Sequence, residues 1–132
     1  MSIRPGWFYH PEEDDRVKSP EQLADLYYRS VGHNATLLLN FPVDREGLIH
    51  PIDSANAVNF HKMIQRELQH NLVAGMTPKV SNERGKAFAA KAMTDDSWDT
   101  YWATADGVTS ATITFDFKKP QLMNRIMLQE YI

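Results

Sequence analysis

The sequence predicts a layered α/β segment followed by half-buried antiparallel sheet, within 132 residues. Three observations predict this. Residues 20–31 and 53–70 carry apolar side chains at helical spacing, and between them lies a short apolar segment, Ala35–Asn40, centred on Leu37-Leu38-Leu39. Helix, strand, helix is the order of a parallel sheet covered by helices. Beyond Asn71 the period becomes two, since apolar and polar residues alternate along Ala111-Thr112-Ile113-Thr114-Phe115-Asp116-Phe117. That alternation belongs to antiparallel sheet with one wet face, as in a sandwich. Gly75 and Pro78 mark the change, so the expected organisation is 1–72, a linker at 73–78, and 79–132.

Each element has a local reason. Pro5-Gly6 is turn chemistry, and the aromatic cluster Trp7-Phe8-Tyr9-His10 follows it. The acidic run Glu12-Glu13-Asp14-Asp15 reads as exposed loop. Ser19 and Gln22 spell a capping box, with Pro20 at the first helical position, which starts a helix there. Leu23, Leu26, Tyr27 and Val31 keep one face, and Gly32 stands where a helix stops in a left-handed conformation. Ala35–Asn40 has no alternation and reads as a strand buried on both faces. In the second helix Ala57, Phe60/His61, Ile64 and Leu68 share a face. Ile126, Leu128 and Ile132 resume the alternation after Lys118-Lys119-Pro120, giving a last strand at 125–132.

Composition excludes several classes. Fourteen Lys and Arg against seventeen Asp and Glu leave a net charge of −3, and no basic stripe exists to meet nucleic acid. There is no cysteine, which removes disulfide scaffolds and cysteine-ligated zinc. Of the histidines His10, His33, His50, His61 and His70, none stand at metal-ligand spacing on a shared helix face. No apolar run approaches the ~18–20 residues of a membrane-spanning helix. Asn34-Ala35-Thr36 spells a glycosylation sequon, but it runs into the strand expected to be buried and is read as chance.

Four blocks, taken in order, resemble one family. Ser2-Ile3-Arg4-Pro5-Gly6-Trp7-Phe8-Tyr9-His10 is followed by Lys18-Ser19-Pro20-Glu21-Gln22-Leu23 with Tyr27-Tyr28-Arg29-Ser30-Val31-Gly32. Leu37-Leu38-Leu39-Asn40-Phe41-Pro42 and Gly47-Leu48-Ile49-His50 come next. Their order and spacing resemble the end of the catalytic barrel in α-L-fucosidases of glycoside hydrolase family 29. Asp95, Asp99-Thr100-Tyr101-Trp102-Ala103 and Phe115-Asp116 resemble the first half of the discoidin-like, jelly-roll β-sandwich that follows the barrel in many bacterial members. The sequence departs from that pattern where Asp95-Asp96 replaces an Asp-Gly turn. The implied fold class is the last βα units of a (β/α)8-type barrel plus a partial all-β sandwich. Complete versions take ~250 and ~100 residues respectively, so both parts are expected to be incomplete here.

The resemblance implies a retaining glycosidase acting on terminal α-L-fucosyl residues of glycans. That chemistry needs two carboxylates ~5–5.5 Å apart, a nucleophile and an acid/base. In the family the nucleophile Asp and the acid/base Glu both precede the Ser-Ile-Arg-Pro block. The chain alone is therefore expected to be inactive. The family also implies a fucosylated glycan as partner, no cofactor for catalysis, and a periplasmic or extracellular setting. A non-catalytic carbohydrate-binding or interaction module is the alternative, and a small protein with only an ancestral likeness is a third reading.

Each candidate residue has two roles open to it. Arg4 would bond the sugar or orient the upstream Glu; otherwise it pairs with the acidic run at Glu12–Asp15. Trp7 would stack on the deoxy sugar, or pack as a barrel-top aromatic. His10 would donate from behind the sugar site, or be solvated. Asn40 sits at the C-terminal end of a barrel-like strand, where catalytic faces are built, but its amide would equally well hold the following loop. Asp95, Asp99 and Thr100 would supply part of a structural calcium site, a cation wanting six to eight oxygens, or else form an Asx turn before a buried Trp102. Unpaired edges at 35–40 and 125–132 are expected to favour self-association.

Overall fold

The computed structural model describes residues 1–131 and contains two compact units, Met1–Gln69 and the residues from His70 onward. Each is built in its own way.

In the first unit, α1 spans Pro20–Ser30 and α2 spans Pro51–Glu67. The capping box forms as the sequence demands: Ser19 Oγ accepts from Gln22 N at 3.3 Å, and Gln22 Oε1 accepts from Ser19 N at 2.9 Å. Two of the N–H groups left free at this terminus, where Pro20 has none, are thereby satisfied. The helix does not stop on Gly32. Val31–His33 tightens into a 3-10 turn, and the left-handed residue is Asn34, at φ 60°. Its N–H reaches Val31 O at 3.1 Å and Ala35 N reaches Ser30 O at 2.9 Å. Asn tolerates this conformation because its short polar side chain limits the steric cost.

The parallel pairing expected of a barrel is present but brief. Ser2 and Asn40 form a parallel bridge. Asn40 N donates to Met1 O at 2.8 Å, Ile3 N donates to Asn40 O at 3.0 Å, and the Met1 ammonium donates to Leu38 O at 3.1 Å. With α1 between the paired segments, the connectivity is that of a β-α-β unit reduced to a single bridge, and α2 follows as the next helix. Residues 35–39 do not form a strand, and Leu38 is 74% exposed rather than buried. The physical reason is that among the described residues only Met1–Ile3 pairs with this segment, so one edge and one face have nothing to rest on. Asn34-Ala35-Thr36 is consequently exposed, contrary to the reason for reading its sequon as chance.

α2 begins two residues before the expected Asp53 and ends before His70. Ala57, Phe60 and Ile64 are half-buried on its inner face, whereas His61 and Leu68 are exposed. Tyr27 of α1 meets Phe60 edge-on at 6.1 Å, and Tyr28 Oη donates to Glu67 at 2.7 Å. The buried apolar centre is Ile3, Leu23 and Ala24.

In the second unit β1 is Lys79–Val80 and β2 is Ile113–Thr114, antiparallel, with Lys79 opposite Thr114 and Val80 opposite Ile113. The ladder is much shorter than the alternation at 111–117 predicts, and residues 121–131 are exposed and without strand. Ile132, the end of the expected last strand, lies outside the described residues. Side chains hold the rest. Asn82 O accepts from Trp102 Nε1 at 3.2 Å, and Asn82 Oδ1 accepts from Ala105 N at 2.8 Å. Tyr101 lies between Phe88 at 5.0 Å and Tyr131 at 4.1 Å. The sandwich expectation thus reduces, among the described residues, to one two-stranded sheet, because a two-residue ladder supplies no face on which a second sheet can pack.

Candidate functional site

The paired segments end at Arg4 and Asn40, and the loops that follow them, 5–17 and 41–50, are tied together. Arg4 is fully buried. Its Nε and Nη2 bond Asp53 Oδ2 and Oδ1, each at 2.8 Å, while Nη1 bonds Asp14 Oδ1 at 2.8 Å and His10 O at 3.3 Å. This is the two-pronged geometry that suits a planar guanidinium and a carboxylate. Burial works against the charge, but the bonds to Asp53 and Asp14 outweigh it and raise the Arg4 pKa. Of the two roles open to Arg4, the pairing with the acidic run is the one seen, at Asp14: with its donors turned to two carboxylates and a carbonyl, Arg4 organises the loop. The acidic run is not wholly exposed loop. Asp14 pairs with Arg4 and Glu13 Oε2 accepts from Gly6 N at 3.3 Å, so these two are structural while Glu12 stays exposed.

Asp53 was not legible as a site residue. It is fully exposed in no sense: its relative accessibility is 0%, in the first turn of α2. An acidic residue in a first turn ordinarily complements the helix dipole from the surface. Its true partner stands 49 positions away, and no local pattern reveals that. His50 caps the same helix, its Nδ1 accepting from Ile52 N at 3.4 Å, and its Nε2 lies 3.6 Å from Asp14 Oδ2. Tyr9 lies over both groups, with Arg4 4.6 Å from its ring centre and the His50 ring 5.8 Å away. Partial burial first, and the Asp14 charge second, raise the Tyr9 pKa. Arg4, Tyr9, Asp14, His50 and Asp53 therefore form one polar cluster beneath the loops.

Above it, Trp7 is 54% exposed and Phe8 75%. His10 is exposed and lies 3.9 Å from Glu12. Asn40 Nδ2 donates to Trp7 O at 2.8 Å and to Ser2 Oγ at 3.2 Å. The structure thus brings Arg4, Trp7, His10 and Asn40 to one end of the paired segments. Trp7 and His10 are the members left facing solvent. Such an end can offer an aromatic face and N–H donors to a sugar, and the carboxylates of buried Asp53 and half-buried Asp14 are already committed to Arg4.

Asp95, Asp99 and Thr100 lie in the second unit. Asp95 Oδ1 accepts from Ser97 N at 3.1 Å and Oδ2 from Thr100 Oγ1 at 2.8 Å. The Thr100 hydroxyl first, then the Ser97 N–H, lower the Asp95 pKa. This is an Asx turn closed on itself, carrying Asp96 at φ 60°. Among the described residues no three acidic or histidine side chains are grouped to hold a metal. Asp95, Asp99 and Thr100 alone do not fit calcium, which takes six to eight oxygens. Trp102 is half-buried, as a core-side aromatic with its N–H satisfied.

No family model matches the chain. It is 37% identical over 136 residues to a candidate alpha-L-fucosidase 1 of Oryza sativa subsp. japonica, covering all of this chain and 26% of that protein. It is 33% identical over 135 residues to alpha-L-fucosidase 1 of Arabidopsis thaliana, with the same coverage. Among solved structures, a candidate α-L-fucosidase of Bacteroides thetaiotaomicron matches with a TM-score of 0.78 and 48% identity, over 83% of this chain and 24% of that one. A family 29 fucosidase of Ruminococcus gnavus, solved in complex with fucose, matches with a TM-score of 0.75 and 38% identity, over 83% of this chain and 22% of that one. The chain is therefore homologous to α-L-fucosidases and spans about a quarter of their length.

Proposed function

We propose that the chain is the closing portion of the catalytic barrel of a retaining α-L-fucosidase, with the start of the discoidin-like sandwich behind it. The longer enzyme would hydrolyse terminal α-L-fucosyl residues of glycans. The observation that carries this reading is the parallel bridge of Ser2 to Asn40 across α1. The bridged segments bring Arg4, Trp7 and Asn40 to one end, in a chain that matches fucosidases along its length. In a barrel of this type the C-terminal strand ends carry the active site. The fucose held by the Ruminococcus gnavus protein supports a fucosylated glycan as the ligand class.

The division of labour follows from the geometry. Retaining hydrolysis needs two carboxylates free to act. Asp14 and Asp53 are engaged by Arg4, so the reacting pair comes from the three-quarters of the relatives' length that lies outside this chain. The chain contributes Trp7, whose exposed indole suits the apolar face of a deoxy sugar, and the buried cluster that holds its loop. The test is a graft. This chain replaces the matching stretch of the Ruminococcus gnavus fucosidase, and turnover of an aryl α-L-fucoside is measured. Activity is expected from the graft and none above the buffer blank from the chain by itself. A well-folded graft that binds no fucose would overturn the reading.

A further inference from the structure

We propose that Asn40 is a positioning residue for Trp7, acting through its carboxamide nitrogen. The proposal deepens the fucosidase reading and rests on it for the ligand that Trp7 would meet. Its geometric part stands on the chain alone. Asn40 is held by its own backbone, since its N–H bonds Met1 O at 2.8 Å and its carbonyl accepts from Ile3 N at 3.0 Å. The side chain therefore leaves a fixed point. Its Nδ2 spans 33 positions to Trp7 O at 2.8 Å and also reaches Ser2 Oγ at 3.2 Å. A carbonyl only accepts, so the amide nitrogen must face Trp7.

Trp7 has little else to hold it. It is 54% exposed, and its indole N–H has no acceptor among the described residues. The adjacent pin is Gly6 N on Glu13 Oε2 at 3.3 Å, which fixes the near side of the turn. Asn40 fixes the far side. With both in place the indole is presented with its face and its N–H open. Without Asn40 the backbone at Trp7 is free to rotate, and the ring with it.

Asn40→Asp separates the nitrogen from the oxygen of the same side chain. It keeps Oδ1 and size, removes both donors, and sets an oxygen against the Trp7 carbonyl. The experiment labels the chain with 5-fluorotryptophan, assigns the Trp7 line through Trp7→Phe, and compares wild type, Asn40→Asp and Asn40→Ala. Both Asn40 variants should shift or broaden the Trp7 line, leave those of Trp98 and Trp102 in place, and keep the helical circular dichroism. A Trp7 line unchanged in folded variants overturns the proposal. Should either variant unfold, the wild type decides: the Asn40 side-chain amide should exchange with solvent ~10-fold or more slower than that of exposed Asn59. Equal exchange overturns the proposal too. No sugar enters these measurements, so a failed graft and a failed positioning role are told apart.

Discussion

The two units are of similar length but are held together by different kinds of contact. The first is organised around residues distant in sequence: Arg4 meets Asp53, Asn40 meets Trp7, and Tyr28 meets Glu67. Its buried set includes a complete ion pair alongside Ile3 and Leu23. The second has Ala90 and Thr94 buried, a two-residue ladder, and a tail in which Leu122, Ile126, Met127 and Leu128 are 81–98% exposed. Many of its contacts are turns, such as Ser97 and Thr100 closing on Asp95. The difference teaches where single substitutions will be felt. A buried charge pair fails when one partner is removed, whereas an apolar side chain as exposed as Leu128 has little to lose.

The largest expected effect is at that pair. Asp53→Ala leaves the Arg4 guanidinium buried with Asp14 alone, and breaking such a pair costs ~3–5 kcal/mol. Urea unfolding followed by circular dichroism of the helices measures it. The double replacement Arg4→Met with Asp53→Leu should recover most of the loss, since it removes the orphaned charge. If the single change proves as mild as a surface substitution, the contrast between the units collapses.

A smaller effect belongs to the cap. Ser19→Ala removes the acceptor for Gln22 N, and such changes cost ~1 kcal/mol. Thermal unfolding should show it in the first unit. Leu128→Ser, in the second unit, should change stability by no more than ~0.5 kcal/mol, as expected for a residue 90% exposed. A loss of several times that would mean the tail is covered.

The smallest effect is a pH response in the second unit. Asp95 is held below the ordinary carboxylate range by the Thr100 hydroxyl and then by Ser97 N. A depressed carboxyl stabilises the turn above its unfolded pKa, and that support is lost as pH falls through the folded one. Carboxyl titration by NMR should therefore place Asp95 below ~3.9, the usual aspartate value. Thr100→Val should move it back up. Added calcium should leave that titration where it is, because the Asx turn by itself offers too few oxygens.

Some of this architecture was legible in residues near one another. The Ser19–Gln22 box and Pro20 start α1 where it does start, because capping is a contact across three positions. The helical spacing of Ala57, Phe60 and Ile64 marks the inner face of α2 for the same reason. Periodicity misled in Ala35–Asn40, and at 111–117 it marked an antiparallel strand that is only two residues long. It reports what a segment can bury, while burial itself requires neighbours on both sides.

The sequence by itself determined the two helices, the N-terminal cap of α1, the turn at Asp95 and the resemblance to fucosidases, since each is written in residues a few positions apart or in blocks in fixed order. Only the tertiary structure decided that Arg4 is a buried anchor, that Asp53 is its partner, and that Asn40 spends its donors on Trp7 and Ser2. A guanidinium reads the same in a sequence whether it meets a carboxylate or a ligand. What distinguishes the two is the approach of side chains tens of positions apart, and that approach exists only once the chain has folded.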